Sequence, residues 1–252
     1  MKNINKKTKS LIIILTFTVI SGLVFAYFYY RNINDNIDPR LIETQKILAD
    51  FDNINKLDSS FIAIDLMNEL EQKLKEIDLY HNSYEIGVVY NNRASVYLML
   101  AVYNDEYKNM KDSLFNMALA DLSKADDIYN NWIKWKANIN DTELKIYLKT
   151  EYNKASNVFK NKDINSIIEH RIKDLKLAEI ETPRRLSVVY SNIAVIKRHT
   201  NKLDDAIAYY TKSLELWSKN HEAKNNLNVL CGKEREKQSV INKMFPSKRD
   251  IE

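Results

Sequence analysis

The chain has 252 residues, 45% hydrophobic and 29% charged, which is enough for one domain with a sizeable core. Three glycines and three prolines are too few turn residues for a sheet-rich fold of this length, so the composition points to an all-α class. The net charge of +4 lies wholly in Lys2, Lys6, Lys7 and Lys9: set aside, they leave 34 basic residues against 34 acidic ones, without the basic surplus that phosphate binding needs, and nucleic acid is excluded as a partner.

Residues 1–10 form a basic tail. Residues 11–30 read LIIILTFTVISGLVFAYFYY, with no charge among them. Twenty residues at about 1.5 Å each match the ~30 Å hydrocarbon core, so the run predicts a transmembrane helix. The aromatic cluster Tyr27 to Tyr30 closes it as at a membrane interface. Lysines before the run place the N-terminus in the cytoplasm and residues 31–252 outside, as a single-pass inner-membrane protein with a periplasmic domain. Val24-Phe25-Ala26 leaves cleavage as a signal peptide open as an alternative.

Residues 31–38 are expected as a polar linker. Beyond it, apolar residues recur at steps of three and four, which predicts helices near 39–52, 60–79, 83–103, 109–129, 142–160, 163–179, 183–199, 203–217 and 221–244. Asp38-Pro39 and Thr182-Pro183 each read as an N-cap followed by a first helical residue. Breaks are expected at Asn-rich points such as Asn130-Asn131, Asn138-Ile139-Asn140 and Asn161-Lys162-Asp163, because Asn and Asp compete for backbone bonds.

Two segments echo each other. Residues 88–94 read VVYNNRA and residues 188–194 read VVYSNIA; residues 225–227 (NNL) begin a weaker echo. In each of the first two an aromatic (Tyr90, Tyr190) precedes by one turn a small residue (Ala94, Ala194) on the same face. A second helix follows with small and large residues alternating at steps of four and three: Ala118, Leu122, Ala125 in one case and Ala206, Tyr210, Ser213 in the other.

These residues resemble the tetratricopeptide repeat, a 34-residue helical hairpin. Residues 187–220 match it without a gap through Tyr190, Ile193, Ala194, Ala206, Tyr210 and Ser213. Residues 87–131 look like a second repeat with an insertion between its helices, and Arg93 stands where leucine is usual. Residues 142–181 and 40–79 resemble degenerate repeats, and 221–244 the helix that closes such arrays. The TPR-like domain is therefore expected over 39–231, followed by a charged tail over 232–252. The resemblance implies a superhelix of antiparallel hairpins whose inner face binds segments of other proteins. It also places Asn92, Asn192 and Asn226 on that face, where the family uses Asn to hold a bound backbone, together with Arg198 and His199. Glu222 and Asn226 replace the basic residues of the family's carboxylate clamp, so that mode is not expected.

The sequence carries no catalytic constellation, and no catalytic residue, cofactor or metal is expected. His221-Glu222 begins a zinc-protease pattern, but Asn225 stands where the second His belongs. Three glycines cannot build a phosphate loop. The single cysteine, Cys231, allows no intramolecular disulfide and reads as a buried thiol of the closing helix. Trp132 and Trp135 read as packing residues beside a turn. Asp126-Asp127 and Asp204-Asp205 read as solvated faces.

The expected function is that of a non-enzymatic, membrane-anchored scaffold or adaptor. It would bind other proteins of a membrane-associated complex and self-associate, an architecture similar to TPR proteins of the periplasmic flagellar collar. The alternative is a chaperone-like companion of the secretion translocon.

Overall fold

Short polar side chains begin several of the helical segments. Asp38 accepts the Arg40 N–H at 3.0 Å, and Asp163 accepts that of Asn165 at 3.0 Å. Asn220 accepts from Ala223 at 3.1 Å. Asn140 accepts from Thr142 and Glu143 while the Glu143 carboxylate reaches back to the Asn140 N–H, a reciprocal capping box. The structure, a computed structural model, describes residues 6–54, 58–160 and 162–237. Among them are α1 (Lys6–Asp35), α2 (Ile42–Asn53, led by a 3-10 turn at Pro39–Leu41), α3 (Ser60–Lys75) and α4 (Tyr84–Tyr103). Then come α5 (Lys111–Ala137), α6 (Asp141–Lys154), α7 (Ile164–His199), α8 (Leu203–Leu216) and α9 (His221–Leu230). No strand occurs among the described residues.

The N-terminal expectation is corrected. Among the described residues, no helix is long and apolar enough to cross a membrane. The expected periplasmic placement rests on the predicted transmembrane span. The expected linker over 31–38 is also shorter, since α1 continues to Asp35. The N-terminal residues 1–5 and the tail residues 238–252 lie outside the described residues.

Three further boundaries differ from expectation. Helix α5 runs through Asn130-Asn131, because the Asn130 amide turns back and donates to the Asp126 carbonyl at 3.0 Å and carboxylate at 2.6 Å. Trp132 and Trp135 therefore lie within a helix, not beside a turn. Helix α7 runs unbroken through Thr182-Pro183. Its first half buries Ile167, Ile168, Ile172 and Leu175 against Leu144, Leu148 and Tyr152 of α6. Its second half buries Leu186, Val189 and Tyr190 with α4 and α5. Packing on both sides of the proline outweighs the missing donor. Helix α9 stops fourteen residues short of the expected end, at Leu230 instead of 244. Gly232 takes a left-handed φ of 71°. Lys233 N–H then bonds the Asn228 carbonyl at 2.7 Å and Gly232 N–H that of Val229 at 3.2 Å, the paired bonds of a Schellman ending. Cys231 is consequently exposed, contrary to its expected burial.

Neighbouring helices form antiparallel hairpins. Between α4 and α5, Gly87 meets Tyr129 while Arg93 meets Asp121. Between α7 and α8, Ser187 meets Ser213 while Lys197 meets Asp205. Helix α5 lies along α7, and α4 runs in the same direction as α7, with Glu85 near Arg171 and Ser95 near Asn192. The alternating stripes are buried: Ala118, Leu122, Ala125, Ala206 and Tyr210 are fully covered. Gly87 permits the closest approach, since a β-carbon there would lie 2.5 Å from the Tyr129 ring.

Candidate functional site

Helix α7 carries Val188, Asn192, Val195 and His199 at steps of four, three and four, which puts them on one face. Ser95, Leu98, Met99 and Val102, at i, i+3, i+4 and i+7, share one face of α4. Because α4 and α7 run parallel, the two faces stand side by side, and α9 closes the end. The result is an open groove of about 1020 Å³. Its apolar wall residues are Leu98, Met99, Val102, Val188 and Val195, and its polar groups are amides, imidazoles, the Ser95 and Tyr103 hydroxyls, the Arg198 guanidinium and the Glu222 carboxylate. A buried serine–asparagine cluster fixes α9 in place: Asn220 donates to Ser187 Oγ at 3.0 Å and to Ser213 Oγ at 3.1 Å.

Four of the five residues anticipated from sequence line this groove: Asn192, Arg198, His199 and Asn226. Asn192 Nδ2 donates to Asn91 Oδ1 and Ser95 Oγ, both at 3.3 Å, which ties α7 to α4. Arg198 donates to Asn226 Oδ1 at 3.2 Å, which ties α7 to α9. Asn92 is half-buried on α4 and is not among the lining residues. Its neighbour Asn91 makes the contact instead.

His199 sits beside the Phe115 ring, with centroids 5.9 Å apart. Its Nε2 is buried and has no partner among the described residues. Burial, then the nearby Lys111 and Arg198, hold its pKa below the ordinary imidazole value, which favours the neutral ring.

The groove also receives the chain's own C-terminal segment. After the turn at Gly232 the backbone comes back along α9, and Arg235, Glu236 and Lys237 line the groove. Asn225 grips this segment: Glu236 N–H donates to Asn225 Oδ1 at 2.7 Å and Asn225 Nδ2 donates to the Glu236 carbonyl at 3.3 Å. In the sequence Asn225 stands where a second zinc-binding His would belong and opens the weak NNL echo. No local signal marks it for this contact, because its partner lies eleven residues on and reaches it only through the Gly232 reversal.

A smaller cavity of about 340 Å³ lies between α5, α6 and α7, lined by Trp132, Trp135, Tyr147 and Arg171 among others. Arg171 is buried between the rings of Tyr80 and Tyr84, at 4.6 and 5.6 Å, and pairs with Glu85 at 2.5 Å. Trp132 packs edge-on to Tyr84, and Trp135 to Tyr147. This arrangement staples α4 to α7. Among the described residues no group of three His, Cys, Asp or Glu gathers as a metal site. Compared with known proteins, the chain matches no family model, no curated protein and no solved structure.

Proposed function

We propose that the protein is a non-enzymatic helical scaffold that holds an extended segment of a partner protein in the groove between α4, α7 and α9. The carrying observation is convergence: Asn192, Arg198, His199 and Asn226, which are separated by up to 34 positions, meet on one groove walled by apolar side chains. Such a mix suits a peptide, because amides can pair with any backbone while apolar walls take alternate side chains. The stacked antiparallel hairpins, with α4 and α7 parallel, support the resemblance to the tetratricopeptide repeat.

A displayed library of random linear peptides, panned against the full chain, tests this. Enrichment of a shared motif that is lost on the Asn192→Ala/Arg198→Ala double variant, with helicity unchanged, is the expected result. Binders indifferent to both substitutions would refute the groove.

A further inference from the structure

The segment after α9 shows what kind of chain the groove accepts. Asn225 offers one carbonyl and one amide, and both go to the same residue, Glu236. A neighbouring β-strand would satisfy one residue of an extended chain in the same way, through its N–H and its C=O together. The contact therefore reads backbone and tolerates any side chain. Beside it, Lys224 Nζ pairs with Glu236 Oε1 at 2.8 Å, which adds a preference for a carboxylate at that one position. Arg198 and Glu222 both line the groove, so the preference for a carboxylate stays local to Lys224.

We infer that the groove's ligand is an extended polypeptide segment with an acidic residue opposite Asn225 and Lys224, and that residues 233–237 occupy this place when no partner is bound. The inference rests on the scaffold reading and specifies the partner's chemistry. The internal segment holds its place weakly. Two solvent-exposed hydrogen bonds and one ion pair anchor Glu236 to α9. A short tether supplies an effective concentration on the order of millimolar. A partner must outcompete that concentration, so the segment sets a threshold against weak or non-specific peptides.

The test compares three forms of the full chain: wild type, Glu236→Pro, and Glu236→Pro/Asn225→Ala. Proline at 236 has no N–H to give Asn225, and the site lies outside every helix, so circular dichroism should be unchanged. The probe is a fluorescein-labelled, end-blocked peptide that copies residues 232–240, followed by anisotropy. Glu236→Pro should bind it at least fivefold tighter than wild type, and adding Asn225→Ala should cancel that gain. A probe with Gln in place of its glutamate at 236 should bind Glu236→Pro at least threefold more weakly. Equal affinity of wild type and Glu236→Pro would overturn the inference, as would no binding to any form. In both of those cases library-selected peptides that depend on Arg198 would leave the scaffold reading standing, so the two failures are distinguishable.

Discussion

Arg93 of α4 grips Asp121 of α5 with both arms of its guanidinium, Nε to Oδ2 at 2.7 Å and Nη2 to Oδ1 at 2.9 Å. Its remaining nitrogen, Nη1, donates to Glu71 at 2.6 Å and Asn68 at 2.7 Å on α3. One side chain thus joins three helices in a nearly closed site. The resemblance expected leucine at this position, yet Arg93→Leu should cost about 3–5 kcal/mol, because Asp121 would remain buried without its partner. Urea unfolding measures the loss. Arg93→Leu/Asp121→Leu should recover at least half of it, since an apolar pair leaves no stranded charge.

Acid should weaken the same junction. Burial pushes the Glu71 carboxyl up, but hydrogen bonds from Lys75, Arg93 and Tyr90 outweigh it and bring the pKa down to about 2 from the ordinary 4.5. A depressed carboxylate contributes stability that is fully present above pH 4.5 and disappears as the pH falls through about 2. Discounted for solvent screening, the contribution is about 1–2 kcal/mol. Stability measured by urea at pH 7, 4 and 2.5 should fall more steeply for wild type than for Glu71→Gln.

Gly87→Ala should destabilise the α4–α5 hairpin despite alanine's better helix propensity. The propensity gain is about 0.5–1 kcal/mol, while the new β-carbon would sit 2.5 Å from the covered Tyr129 ring. Overpacking of this kind costs about 1–3 kcal/mol. A lower melting temperature is expected, restored in part by adding Tyr129→Leu. A rise with Gly87→Ala alone would show that the ring yields freely.

Pro183→Ala should stabilise the chain. It restores the N–H that the interior of α7 lacks, a defect of about 3 kcal/mol. The freer unfolded chain returns about 0.4–1 kcal/mol. A net gain near 2 kcal/mol in denaturant unfolding is the expected outcome, and a loss would mean that the proline sets a bend the packing needs.

Local patterns in the sequence carried the helical hairpins well. Ala118, Leu122, Ala125, Ala206, Tyr210 and Ser213 were legible as buried stripes because helical periodicity is a local property. Asp38 was legible as a helix start, and Asn140 and Asp163 as breaks between helices, for the same reason. Thr182-Pro183 and Asn130-Asn131 misled, since tertiary packing and the Asn130–Asp126 bonds decided those boundaries. The end of α9 is set by Gly232, whose left-handed φ is a local stop signal in the sequence. Arg93 was noted as a departure from the repeat pattern, but its role depends on Asp121 and Glu71, 28 and 22 positions away. In the groove, the resemblance to the repeat pointed to Asn192, Arg198, His199 and Asn226, and also to Asn92, which does not line it. It could not reveal Asn225, whose function arises only when the chain folds back.

The groove itself is tested most directly by mapping where a library-selected peptide lies. A photo-crosslinking residue is placed in turn at Met99 and Val195, which line the groove, and at Ile146, which is exposed on α6 away from it. The account predicts that the peptide crosslinks at Met99 and Val195 and not at Ile146. Crosslinking at Ile146 alone, or equally at all three, would contradict it.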